Sequence, residues 1–294
     1  MSDGPGTAAR RLLVVHAHPD DESSKGAATS ARYADDAETD VVLVTCTGGE
    51  AGDVLNEKIG PVTPEEMPAL RERELAAAVD AIGFTRTYTL GERDSGWHED
   101  LGAIPGEPCF WHAPIARPAA RLASILRAER PQVVVTYPPD GGYPHPDHIR
   151  THEVTMAAVE LAADPNAEVD GDPWQVARVV GTTVFTKQRV VALHEAMVGA
   201  GHESPYAEWL DPENERPERD ADRLPVAARL HVAGWFPRRD AALLAHASQV
   251  DPDGLWFAVP RDVEAGAWPW EEFVCILPEE PDTDEPLDDL FAGL

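Results

Sequence analysis

The stretch Leu12-Leu13-Val14-Val15-His16-Ala17-His18-Pro19-Asp20-Asp21-Glu22 decides how this chain is read. Four apolar residues, two of them β-branched, stop abruptly at a polar run, which is the pattern of a short strand buried on both faces. Similar runs recur at Val41 to Thr45 before Gly48-Gly49, at Thr85 to Leu90 before Gly91, and at Val133 to Tyr137 before Pro138-Pro139. Each ends at a turn signal. Helical spacing separates them. Leu75, Val79 and Ile82 fall at i, i+4 and i+7 with Gly83 placed as a C-terminal cap, and Leu122, Ile125 and Leu126 mark a helix ending before Pro131. The alternation predicts an α/β fold with a Rossmann-like, mostly parallel sheet and helices on both faces. In such sheets ligands bind beyond the carboxyl ends of the strands, so the segments after Val15, Thr45, Leu90 and Tyr137 are expected to meet at one rim.

Working outward, residues 1–165 are expected to form the Rossmann-like core. Strand candidates at Val176 to Phe185 and Val226 to Val232, separated by the acidic, proline-bearing loop Asp211 to Asp222, predict a smaller C-terminal α/β subdomain over 166–277. Residues 278–294 combine prolines and acids with few large apolar groups, and are expected to be a mobile tail.

Composition excludes some partners. Lys and Arg total 24 against 53 Asp and Glu, a net charge of −29, which repels nucleic acid and anionic membranes. Cys46, Cys109 and Cys275 are few, odd in number and far apart, so neither a disulfide framework nor a cysteine metal knuckle is expected. With no apolar run of membrane-spanning or signal-peptide length, the expected location is the cytoplasm and the expected partner a small molecule.

Two clusters carry the chemistry. His18-Pro19-Asp20-Asp21-Glu22 follows the first strand, and His145-Pro146-Asp147-His148 follows the fourth after Gly141-Gly142-Tyr143. One divalent ion accounts for both, because hydrolytic zinc takes three nitrogen or oxygen ligands and keeps a position open for water. His18, Asp21 and His148 supply that set, with iron(II) an alternative for the same donors. Adjacent aspartates diverge in most backbone conformations, leaving Asp20 to serve as general base. His145 suits either oxyanion stabilisation or protonation of the leaving amine, Asp147 the orienting of an imidazole, and Tyr143 a further donor to the oxyanion. A dinucleotide-binding oxidoreductase is the rival fold-based reading. It needs a glycine-rich first turn, and carboxylates occupy that turn here. A metal-binding module without catalysis would leave Asp20 without a task.

These motifs, Ala17-His18-Pro19-Asp20-Asp21-Glu22 with Pro144-His145-Pro146-Asp147-His148, resemble the LmbE-like (PIG-L) zinc deacetylases. The longer context adds Ser23-Ser24-Lys25-Gly26, Val44-Thr45-Cys46-Thr47-Gly48-Gly49-Glu50, Arg93-Asp94-Ser95-Gly96 and Ala245-His246-Ala247-Ser248-Gln249-Val250-Asp251-Pro252, and looks like that family's mycothiol S-conjugate amidase branch. The resemblance implies hydrolysis of the amide joining an S-substituted N-acetylcysteine to glucosaminyl-inositol. It places zinc on His18, Asp21 and His148, the base at Asp20, and substrate contacts at Tyr143, Arg71 and Asp94. Lys25 is expected near the mouth as a cation suited to a large polar conjugate. The alternative within the family is the deacetylase of N-acetylglucosaminyl-inositol, which differs in its acyl pocket. Two stretches depart from the amidase pattern, Gly96 to Pro114 with Trp97 and Trp111, and Asp211 to Asp222. Trp97 and Trp111 either line a pocket for the S-substituent or pack ordinarily.

Overall fold

In the computed structural model, which describes residues 9–104, 106, 108–214, 218–280, 283 and 285–294, the opening apolar run lies inside β1 (Arg10–His16). Its side chains alternate between two layers. Leu12 and Val14 enter one hydrophobic core and Leu13 and Val15 the other, none more than 2% exposed. That double burial is why the run is apolar throughout rather than alternating. β2 (Thr39–Thr47), β3 (Arg86–Glu92), β4 (Val133–Thr136), β5 (Arg178–Thr182), β6 (Val226–His231) and β7 (Trp270–Leu277) complete one seven-stranded sheet in the order β3-β2-β1-β4-β5-β7-β6. β1 to β5 run parallel, whereas β7 is antiparallel to β5 and β6 to β7. The Rossmann-like, mostly parallel α/β sheet expected from the sequence is therefore present. Strand order reverses between β1 and β4, which opens the crevice that such sheets use for ligands.

The helices are α1 (Asp21–Ser24), α2 (Ala27–Ala34), α3 (Met67–Ile82), α4 (Ala116–Glu129), α5 (Pro146–Ala163), α6 (Lys187–Gly199), α7 (Asp220–Arg223), α8 (Phe236–Ala245) and α9 (Arg261–Ala267). α2, α3 and α8 pack on the Leu12 face and α4 and α5 on the Leu13 face. Gly83 caps α3 at φ 89°, donating its N–H to the Val79 carbonyl over 2.8 Å, as a left-handed cap does. The buried stripe of α3 differs from the apolar one. Met67, Arg71, Glu74, Ala78 and Ile82 are buried, while Leu75 and Val79 only flank the core, so two charged side chains point inward. Among the described residues no helix is long and apolar enough to cross a membrane.

The smaller C-terminal α/β part expected over 166–277 is joined to the core through the sheet. β5, β7 and β6 extend the same sheet, because β7, which the sequence reading did not mark as a strand, pairs with β5 and carries β6 outward. A satellite core of Val190, Leu193, Met197, Tyr206, Val259 and Trp268 sits beneath α6 and α9. The strand expected over Val176 to Phe185 ends at Thr182, leaving Phe185 in the following loop.

The expected mobile tail is also corrected over 285–294. Leu290 and Phe291 are buried in the α2-side core, and Asp289 accepts a bond from the Tyr33 hydroxyl at 2.7 Å. These two apolar anchors, with backbone bonds between Leu287 and the Ala227 and Arg229 positions, dock the segment. Pro281, Asp282 and Asp284 lie outside the described residues. Phe291→Ala should lower unfolding free energy by about 3 kcal/mol, as large-to-small core substitutions do. An unchanged urea midpoint would contradict this packing.

Candidate metal centre and active site

Both signature clusters leave neighbouring strands at the reversal of strand order. The loop after β1 is tied down at its first residue. The Ala17 carbonyl accepts from Thr47 N–H at 2.9 Å and Thr47 Oγ1 at 3.0 Å, and the Ala17 N–H donates to the Tyr137 hydroxyl at 2.8 Å. Tyr137, the residue following β4, then donates to Asp21 Oδ2 over 2.6 Å. Its ring stacks on His148 with centroids 4.2 Å apart. One buried phenol thus joins the ends of β1 and β4. In the sequence, Tyr137 is legible only as the end of an apolar strand.

The structure brings His18, Asp21 and His148 close to one another. The imidazole centroids of His18 and His148 are 5.4 Å apart, and Asp21 Oδ2 stands 3.4 Å from His18 Nδ1 and 3.3 Å from His148 Nε2. His148 Nδ1 lies 3.1 Å from the Gly141 carbonyl, which can only accept, so that nitrogen carries the ring proton. Nε2 is then a bare lone pair, buried and without a hydrogen-bond partner, facing a carboxylate oxygen. Two acceptors that close, with no proton between them, fit a cation. Gly141, at φ 76°, is required for this arrangement, since a Cβ there would come within 2.7 Å of the His148 Cβ.

Other acidic and imidazole groups surround that set. Donor atoms of His18, His145 and His148 lie within 4.8 Å of one another, as do those of His18, Asp94 and Asp147. Asp147 is fully buried and already accepts from the Ser95 N–H at 2.9 Å and from the Ser95 hydroxyl. Its Oδ2 stands 3.3 Å from His18 Nε2, so the imidazole it contacts is that of His18. Asp94 accepts from Gly96 N–H at 2.8 Å and Ala51 N–H at 3.1 Å, and lies 3.6 Å from His18. Burial opposes charge on His18, yet Asp94, Asp147 and Asp21 outweigh it and hold its pKa well above the usual imidazole value. Burial raises the Asp21 carboxyl, but Lys25, His148 and His18 bring it well below the ordinary range. Fully buried His16 has no hydrogen-bond partner on either ring nitrogen, and burial lowers its pKa to about 4, so it stays neutral.

His145 caps α5, its Nδ1 accepting the Asp147 N–H at 3.1 Å. The ring proton therefore sits on Nε2. Burial, with His18 and His148 adding to it, depresses its pKa to about 2, so it is a neutral donor. Tyr143 is 38% exposed at the rim, its ring 4.7 Å from that of His148. Burial pushes its phenol up to about 12. Trp97, 56% exposed, lies against both, 5.8 Å from the Tyr143 ring and 5.8 Å from the His145 ring, whereas Trp111 packs under Arg150. Pro105 and Glu107 of that divergent stretch lie outside the described residues.

Asp20 and Asp21 diverge. Asp20 has a left-handed backbone at φ 107°, a conformation costing an ordinary residue about 1–3 kcal/mol. Its N–H donates to Glu22 Oε2 at 2.9 Å, and Glu22 in turn pairs with His246 at 2.6 Å. Neither member of that pair was singled out from the sequence. Arg71 is 2% exposed rather than a solvated helix residue. Its Nη2 donates to Asp20 Oδ2 at 2.9 Å and to the Pro19 carbonyl at 2.6 Å, while Nε and Nη1 have no partner. Lys25, expected as a cation near the mouth, is ion-paired there. Its Nζ donates to Asp21 Oδ1 at 2.5 Å and to Ser24 Oγ at 3.1 Å, because it sits one helical turn beyond Asp21.

Comparison with known proteins shows the family to which the chain belongs. Residues 13–159 match the family model described as PIG-L: GlcNAc-PI de-N-acetylase. The chain is 43% identical to the mycothiol S-conjugate amidase of Streptomyces coelicolor, covering 97% of both chains. It is 40% identical to the 1D-myo-inositol 2-acetamido-2-deoxy-alpha-D-glucopyranoside deacetylase of Geodermatophilus obscurus, over 98% of this chain and 99% of that one. Among solved structures, the N,N'-diacetylchitobiose deacetylase of Pyrococcus horikoshii shares the fold at a TM-score of 0.60 and 19% identity, over 91% of this chain and 84% of that one. With a buried His and carboxylate cluster suited to a metal ion and relatives named as amidase and deacetylase, hydrolases of amide bonds, this chain belongs to the PIG-L (GlcNAc-PI de-N-acetylase) family.

Proposed function

We propose that the chain is a zinc-dependent amidase of mycothiol S-conjugates, cleaving the amide between S-substituted N-acetylcysteine and glucosaminyl-inositol. The observation that carries the choice is the 43% identity, over 97% of both chains, to a relative named for that activity. The N-acetylglucosaminyl-inositol deacetylase is the second reading, favoured by the 40% identity to a relative named for it. None of the three cysteines forms a disulfide, which suits a reducing compartment.

His18, Asp21 and His148 would hold the ion, zinc or iron(II), and the bare Nε2 of His148 supports that set. When bound there, such an ion supplies Lewis acidity toward water and the amide carbonyl. Lys25 on Asp21 Oδ1 leaves Oδ2 turned to the imidazoles. Asp147 would fix the His18 ring from behind. Asp20, a quarter exposed and held by Arg71, takes the proton of the attacking water and passes it to the departing amine nitrogen as the carbon–nitrogen bond breaks. The neutral Nε2–H of His145 favours oxyanion stabilisation over the role of a charged acid, and Tyr143, protonated at neutral pH, adds a second donor. Arg71 and Asp94, a guanidinium and a carboxylate on the β3 side of the centre, are the pair suited to the hydroxyls of a sugar.

Asp20→Asn keeps an acceptor for Arg71 but removes the base. It should retain a full metal complement by elemental analysis while amide cleavage falls about 10²–10⁴-fold, and near-normal turnover would remove Asp20 from this role. Tyr137→Phe deletes the hydroxyl on Asp21. A chelator competition should show affinity for divalent ions reduced about 10–100-fold; equal affinity would mean the phenol does not support the ligand. Assayed side by side, a bimane-type conjugate of mycothiol should be cleaved faster than N-acetylglucosaminyl-inositol, the reverse order supporting the deacetylase reading.

A further inference from the structure

A pocket adjoins the centre on its β5 side, and the mechanism above does not use it. It measures about 510 Å3 when the solvent at its open mouth is included. Lys25, Tyr137 and Tyr143 belong to both the pocket and the centre, so the two are continuous. Its remaining wall is mostly apolar. Phe185 and Trp256 stand with ring centroids 5.3 Å apart, and Ala221 faces the same space.

That wall comes from stretches the signature does not include. Phe185 follows β5, Trp256 lies in the turn Leu255–Phe257, and Ala221 belongs to the acidic segment Asp211 to Asp222, of which 215–217 lie outside the described residues. The segment is tied to the loop that bears Tyr143. Arg219 donates to the Gly142 carbonyl at 3.1 Å and to the Phe185 carbonyl at 2.5 Å, and Asp140 and Asp220 exchange N–H to carboxylate bonds of 3.1 and 2.8 Å.

Sheet order gives the pocket its meaning. The centre lies over β1 and β4, Arg71 and Asp94 approach it from α3 and the end of β3, and the pocket opens beyond β5 on the opposite side. An amide laid across the centre with its sugar-bearing amine half toward Arg71 turns its acyl half toward Phe185 and Trp256. An acetyl group would offer this space a single methyl. We propose that the pocket receives the S-substituent of the acyl half and selects flat aromatic thioethers, a reading that rests on the amidase assignment. Rigid aromatic walls suit flat apolar groups.

The test uses the full-length, metal-loaded enzyme with two mycothiol conjugates, S-benzyl and S-methyl, and with N-acetylglucosaminyl-inositol. Trp256→Ala should lower kcat/KM for the S-benzyl conjugate about tenfold, chiefly through KM, and leave the S-methyl conjugate within about threefold. Ala221→Trp, which fills the space, should exclude the S-benzyl conjugate and spare the S-methyl one. The S-methyl rate controls for folding in each variant. Equal changes on both conjugates, or none, would overturn the pocket assignment and leave the amidase reading standing. Cleavage of the acetylated sugar alone, with neither conjugate turned over, would overturn both.

Discussion

The hydroxyl of Tyr137 is the point on which the rest of the site depends. It accepts the N–H of Ala17 and donates to Asp21 Oδ2, while its ring stacks on His148. A phenol has one donor and can accept as well, so this single buried group sets the loop after β1 against the end of β4. Burial raises its pKa well above the usual phenol value, with the Asp21 charge adding to that, so the donor to Asp21 is retained. Parallel neighbours alone bring two loops to one rim; the phenol sets their spacing there.

Acid density is the second constraint. Asp20, Asp21 and Glu22 are consecutive, and unpaired burial of such carboxylates would be prohibitive. Each is met by a different cation or imidazole from a different element: Asp20 by Arg71 of α3, Asp21 by Lys25 beyond α1, and Glu22 by His246 following α8. Divergence of the three carboxylates follows from these partners. The left-handed backbone at Asp20 is held from within, because Glu22 Oε2 accepts the Asp20 N–H. Strain at a functional position is thereby maintained by contacts reaching into the core.

The direction of the sheet then sets two unlike sides of the centre apart. Polar groups from the β2 and β3 side, namely Arg71 over Gly49 and Asp94, stand opposite the aromatic wall beyond β5. The close approach of Arg71 requires Gly49, since a Cβ there would lie 2.7 Å from Nη2.

The sequence by itself determined the parallel sheet and the metal-binding character of the rim. Double burial of β1 demands four consecutive apolar residues, and strand ends at a reversal of order concentrate polar ligands in a few adjacent positions, as at His18 to Glu22 and His145 to His148. Both signals are local and survive in one dimension. Tertiary structure alone decided the rest. Arg71 and Glu74 point inward although the apolar spacing of α3 favoured Leu75 and Val79, because charged groups become core residues only when a partner such as Asp20 or Ser248 is waiting. Lys25 reads as a surface cation until Asp21 is seen beside it, Phe291 as part of an acidic tail until the α2-side core is present, and His246 as an isolated imidazole until Glu22 meets it 224 residues away in the chain. Hydrogen bonds and ion pairs between distant elements leave no periodicity in the chain, and so those contacts became legible only in three dimensions.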